Sequence, residues 1–414
     1  MSSSSSATNT NWWTRTCGPL DVLKMALPLV ISTASWTIMT FIDRMFLMWH
    51  SPSGEEMAAT LPASMLHFTV LCFPLGVCIY TNTFVAQYFG AGKHDRIGLA
   101  IGQGLRVAIW SAPALLLLAP IVPNIFVMAG HDATLVAYET VYYQVLSVGA
   151  VAVLANNTLR SFFMGRGSML ICMVVDCGGA LLNILLDVVF IFGWFGVPEM
   201  GIEGAAWATV VSLWTKAVVF WWLMHRPRFI QQYRIGDIWR FDASVMRRLL
   251  YYGAPNGFQF FIDVAGFTGF TLLVGSLGKE AMTATTLAFN VNSVAFVPMI
   301  GIGMAISTIV GQQQGAKKPV LSARATWSGF FLAAIYMGSF SVMYLAVPDL
   351  FLFGFAANSS PEEFAVLRST VIVLLRFVAA YCLFDAMNVV FVSAIKGAGD
   401  TQFVVWANVA IAAG

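Results

Sequence analysis

Four aspartates of this 414-residue chain, Asp43, Asp187, Asp263 and Asp385, lie well inside long apolar runs. A charged side chain at the centre of a membrane-spanning helix costs about 2.5 kcal/mol or more, so each needs a partner or a task. Counted at about 1.5 Å per residue from the run ends that carry Lys and Arg, Asp43 and Asp187 both reach the opposite half. Asn183 stands one turn before Asp187, and Asp176 extends the same stripe at helical spacing. Two carboxylates and an amide at one depth form an oxygen-rich site that suits a hard cation such as Na⁺, or a shared proton. The plainer alternative is a buried acid satisfied by Arg44, Lys216 or a hydroxyl, and it weighs most for Asp176. Asp263 and Asp385 pose the same question in the second half. Facing a water-filled cavity they would bind an organic cation or a proton, one displacing the other; the competing reading is a structural pair with Arg376.

The elements that position these groups are transmembrane helices. The chain is 58% hydrophobic and only 10% charged, where a soluble chain carries about 25% charged residues. Apolar runs of roughly 20 residues or more mark helical spans in a lipid bilayer. Ten are expected, at 22–48, 58–89, 97–127, 137–161, 169–194, 202–224, 248–275, 282–311, 325–348 and 366–395. An eleventh begins at Phe403 and reaches only Gly414, too short to cross, which suggests a truncated second half.

The chain contains one stretch twice. Shifted by 225 residues, positions 55–93 fall on 280–318 without a gap, with 12 identities in 39 positions. The identities gather at polar and glycine positions, among them Gly76/Gly301, Thr83/Thr308, Gln87/Gln312, Gly90/Gly315 and Lys93/Lys318. With six spans in each half, the two copies share one orientation, as parallel repeats do. Pro28 and Pro255 lie 227 apart, near the same offset, and are expected to bend equivalent helices. Lys and Arg concentrate in alternate polar clusters, which places those clusters and the N-terminus in the cytoplasm. The expected divisions are a disordered cytoplasmic tail (1–20), an N-lobe (21–225), a basic linker (226–247) and a C-lobe (248–414).

Other chemistries are poorly served. A G-x-x-x-x-G-K-[ST] loop is missing from the sequence, so no Walker-type nucleotide site is expected. The five histidines and six cysteines show neither metal nor disulfide spacing. No basic run with interleaved aromatics suggests a nucleic-acid partner. The chain reads as not an enzyme: neither a nucleophile–base pair nor a metal triad is spaced to converge.

Taken in order, several segments resemble the multidrug and toxic compound extrusion (MATE) family, from about Leu23 to the end. They are Phe41-Ile42-Asp43, Val85-Ala86-Gln87-Tyr88-Phe89-Gly90-Ala91-Gly92-Lys93, Leu182-Asn183-Ile184-Leu185-Leu186-Asp187 and Gly204-Ala205-Ala206-Trp207-Ala208-Thr209. Gly253-Ala254-Pro255 with Asp263, Val310-Gly311-Gln312 and Lys396-Gly397-Ala398-Gly399-Asp400-Thr401 continue the series. The resemblance implies an all-α membrane protein, a V-shaped secondary transporter of two six-helix lobes. It would export small organic cations in exchange for Na⁺ or H⁺ by alternating access, with no cofactor beyond that ion. It further implies an N-lobe ion site of Asp43, Asn183, Asp187 and Thr209 with Asn156 nearby, and a C-lobe acidic pair of Asp263 and Asp385. Asp263 stands where much of the family has the longer Glu. The expected setting is a monomer in the bacterial inner (plasma) membrane. The alternative is a lipid-linked precursor flippase of the wider superfamily, which would want a basic central cavity, whereas here intramembrane acids outnumber bases.

Overall fold

The computed structural model describes residues 11–51, 53–276, 279–351 and 361–413. The serine-rich start (1–10) and Gly414 lie outside them, as do the side chains of Lys279, Glu280, Met282, Glu362 and Glu363. The described chain folds into thirteen α-helices. The first half holds α1 (Pro19–His50), α2 (Glu55–Gly90), α3 (Ile97–Leu118), α4 (Val122–Met128), α5 (Ala133–Met164), α6 (Met169–Phe192) and α7 (Gly201–Met224). After the short α8 (Pro227–Tyr233) come α9 (Ala243–Ser276), α10 (Lys279–Gly315), α11 (Pro319–Ala346), α12 (Pro361–Ala398) and α13 (Thr401–Ala413). Nine helices among the described residues are long and apolar enough to cross a membrane. The 34-residue α9 is as long as these but is not among them by composition; it carries Asn256, Gln259 and Asp263.

Helix boundaries follow local chemistry. The third run was expected to be continuous over 97–127, but it breaks between Leu118 and Val122. Pro120 lacks the backbone donor that would carry the helix on, and Pro123 is accommodated in the first turn of α4. Asp132 caps α5 by accepting from the Leu135 backbone N–H at 2.9 Å. Asp242 caps α9 by accepting from the Ser244 and Val245 N–H groups at 2.9 and 3.1 Å. Its hydrogen bond to the Ser244 hydroxyl helps hold that carboxyl below the usual range. Residues 11–18, assigned from sequence to the tail, form turns, and Ser328 Oγ donates to the Cys17 carbonyl at 3.1 Å. The basic linker is likewise docked. Tyr233, Ile235 and Ile238 are buried, Arg106 donates to the Trp239 carbonyl, and Arg166 lies 4.0 Å over Phe162 and 4.5 Å over Phe229.

The duplicated stretch becomes α2 and α10, and the packing obeys the repeat. Within the halves, α2 packs on α5 as α10 packs on α12, and α3 on α5 as α11 on α12. Between the halves, α1 packs on α10 as α9 packs on α2, and α2 meets α10 directly. Glycines make the crossings. A methyl on Gly301 would enter the backbone at Leu29 and Val30, just after Pro28; one on Gly76 would enter it at Asn256 and Gly257, just after Pro255. Pro28 and Pro255 both sit inside continuous helices, at equivalent crossing points of the two halves. At the basic end, a methyl on Gly90 would meet the Gln312 backbone, and one on Gly315 the Gln87 backbone.

These crossings predict an asymmetry among glycines. Gly76→Leu or Gly301→Leu should destabilise by about 1–3 kcal/mol or more through overpacking, read as a lower melting temperature of the purified protein. Gly266→Leu, where nothing lies within 4 Å of an added Cβ, should melt close to the parent. Equal effects at all three positions would contradict the packing described.

Candidate functional site

Two polar centres occur within the bundle. The first joins α1, α6 and α7. Asn183 and Asp187, one turn apart on α6, are fully buried, and Asp43 of α1 faces them. In the orientation that satisfies its hydrogen bonds, the Asn183 amide donates to Asp43 Oδ1 at 3.0 Å and accepts from the Thr209 backbone N–H at 3.1 Å. The carboxyl groups of Asp43 and Asp187 are hydrogen-bonded to each other. Two carboxyls in such contact must hold a proton or a cation between them. Asp43 and Asp187 form no ion pair among the described residues, and Arg44, beside Asp43 in sequence, is exposed. Tyr142 of α5 is buried within electrostatic reach of both acids and bonds to Ser64. Nothing in the sequence spacing marked it.

Asp176, on the same stripe of α6, has a separate fate. Arg160 Nε lies 3.1 Å from its Oδ2, and Ser32 Oγ donates to the same oxygen. Arg160 was grouped from sequence with the solvent-facing basic cluster; it is instead a mostly buried partner inside α5. Asn156 donates to the Leu213 carbonyl on α7 at 2.7 Å, one turn beyond Thr209, and its Oδ1 has no partner. It braces α5 against α7, and no hydrogen bond brings it to the acids.

The second centre is a cavity of about 270 Å³ between the halves. Asn82 and Thr83 of α2, Asn256, Gln259 and Asp263 of α9, and Lys396 of α12 supply its polar groups. Asp385 does not line it; that residue is half-buried, with Tyr381 and Cys382 of its own helix as its electrostatic neighbours. The two C-lobe acids therefore do not form a contact pair, and Arg376 is exposed. Sequence reading had counted Lys396 among the basic ends. Its spacing from Val389, Val392 and Ser393 is the helical pattern that turns it inward instead. The cavity is closed toward the basic end by a pair of equivalent hydrogen bonds. Gln87 Nε2 donates to the Gly397 carbonyl at 3.1 Å, and Gln312 Nε2 to the Gly165 carbonyl at 2.8 Å. Asn82 Nδ2 adds a bond to Thr308 Oγ1 at 3.0 Å. Among the described residues no group of three or more His, Cys, Asp or Glu side chains is gathered to hold a metal ion.

Two like-oriented repeats of membrane helices, each carrying buried polar groups and meeting around a polar cavity, define a polytopic protein of the two-lobed transporter architecture. The chain belongs to the MatE family, whose model matches residues 28–189 and 255–413. Among similar proteins, a probable multidrug resistance protein NorM from Brucella suis is 25% identical over 386 residues, covering 92% of this chain and 81% of its own length. The multidrug resistance protein PmpM of Pseudomonas aeruginosa is 27% identical over 397 residues, covering 92% and 79%. In fold the chain is similar to the eukaryotic MATE transporter AtDTX14, with a TM-score of 0.82 at 19% identity over 94% of this chain and 85% of that one. A MOP superfamily transporter from Pyrococcus furiosus gives 0.79 at 18% identity, over 94% and 84%.

The contrast between Asp176 and the Asp43–Asp187 pair generates a prediction. Asp176→Ala strands the buried Arg160 and should cost about 3–5 kcal/mol, seen as loss of folded protein or a markedly lower melting temperature. Adding Arg160→Met should recover much of that loss. If Asp176→Ala melts like the parent, the pairing is wrong.

Proposed function

We propose that this chain is a multidrug efflux antiporter. It exports small organic cations in exchange for protons, from a plasma membrane in which its basic end faces the cytoplasm. Family membership and the multidrug-resistance names of NorM and PmpM support export of small molecules. The observation that carries the coupling is the joined pair Asp43–Asp187, buried in α1 and α6 without a permanent counter-cation. Such a pair accepts and releases one proton at the smallest cost, because in either state its partner compensates the change of charge.

The orientation of Asn183 favours H⁺ over Na⁺. A bare sodium ion needs oxygens on every side. Here the amide oxygen is occupied by the Thr209 N–H, and the amide nitrogen, a donor, faces Asp43. The arrangement suits one ionised and one protonated carboxyl. Asp263, opening onto the cavity between the halves, is the acid placed to meet a cationic substrate. The excess of Lys and Arg on the clusters at one end of the bundle supports the orientation. In that orientation the Gln87 and Gln312 bonds shut the cytoplasmic end, and alternating access requires them to open.

Proteoliposomes holding the full chain test this reading by export of a fluorescent organic cation under imposed gradients. A pH gradient should drive export and a Na⁺ gradient alone should not. Asp43→Asn, Asp187→Asn and Asp263→Asn should each bring coupled export to background while the protein stays folded. Sodium-driven export would overturn the choice of ion. Failure under both gradients, with folded protein, would favour transport of a lipid-linked precursor instead.

A further inference from the structure

The cavity between the halves offers two opposite charges and two idle acceptors. Asn82 is 3% and Gln259 7% exposed, and both line the cavity. The Nδ2 of Asn82 is engaged by Thr308, which leaves its Oδ1 without a partner, and Gln259 Oε1 is also without one. A buried unpaired acceptor costs about 1–3 kcal/mol, so two of them beside a carboxylate point to a donor-rich ligand. Ammonium groups are donors with a matching positive charge.

The same cavity carries a cation of its own. Lys396 faces it from α12 without an ion pair to Asp263, its Nζ lying 5.3 Å over the Phe260 ring. A simple organic cation entering here meets an attractive carboxylate and a repulsive ammonium at once. A molecule bearing both charges satisfies both walls.

We infer that the cavity binds small zwitterions, with a protonated amine on Asp263, Gln259 and Asn82 and a carboxylate on Lys396. This rests on the export reading above and narrows its substrate class. A volume of about 270 Å³ limits the ligand to a small one. Lys396 directly precedes Gly397, whose carbonyl receives Gln87 from the other half. A carboxylate drawn to Lys396 therefore acts beside a bond that holds the halves together.

The test is equilibrium binding to the purified full chain in detergent, with no gradient, so that it stands or falls apart from ion coupling. The probes are 4-(aminomethyl)benzoate, a zwitterion, and its methyl ester, a cation of nearly the same shape; calorimetry or tryptophan quenching reads both. The parent should prefer the zwitterion by about tenfold or more, the scale of one charged hydrogen bond. Lys396→Met should remove that preference by weakening the zwitterion while leaving the ester bound as well or better. Lys396→Arg should keep it. Retained ester binding separates a specific effect from misfolding. Equal affinity of the parent for both compounds, equal loss of both in Lys396→Met, or binding of neither would overturn the inference.

Discussion

The approach of two copies of one helix sets the rest of this structure. α2 and α10 come close enough that Gly90 lies on the Gln312 backbone and Gly315 on the Gln87 backbone, a reciprocal contact that no larger residue permits. Without a hydrophobic force between helices in lipid, close packing and interhelical hydrogen bonds must hold the halves together. The glutamines supply those bonds, each reaching a glycine carbonyl of a third helix, Gly397 for Gln87 and Gly165 for Gln312. The contact is tight but narrow, and its bonds are few. That is the kind of interface that can separate as a unit.

Around this contact the chain handles buried charge in three ways. Asp176 is neutralised by Arg160 and a hydroxyl, a structural solution. Asp43 and Asp187 neutralise each other through a hydrogen bond and leave a place for one small ion. Asp263 and Lys396 stay apart across a cavity, so each can be answered by a ligand. The first kind fixes a helix in place. The other two leave a favourable interaction to be completed from outside, which is what coupling an ion to a substrate requires.

Much of the architecture was legible in the sequence because it rests on periodic and repeated features. Apolar runs located the spans, and the identities at Gly76, Gln87, Gly90 and their partners located the residues that make the contact between halves. The Asp43, Asn183, Asp187 and Thr209 group was legible because one turn on α6 fixes two of its members. What the sequence hid depends on rotation and approach. Arg160 and Lys396 looked like solvent-facing ends until helix orientation turned them inward. Asp263 and Asp385 looked like a pair because both are acidic and equally deep, yet only one faces the cavity. Pro120 broke a run that composition alone kept whole.

The central claim is that the α2–α10 contact opens and closes as the protein works. Spin labels at Lys93 and Lys318, equivalent exposed positions just beyond the two helices, report that distance directly. In lipid nanodiscs the pair should give one short distance in the closed state and a second, longer population when pH is lowered or an organic cation is added. A single unchanged distance under every condition would contradict the account.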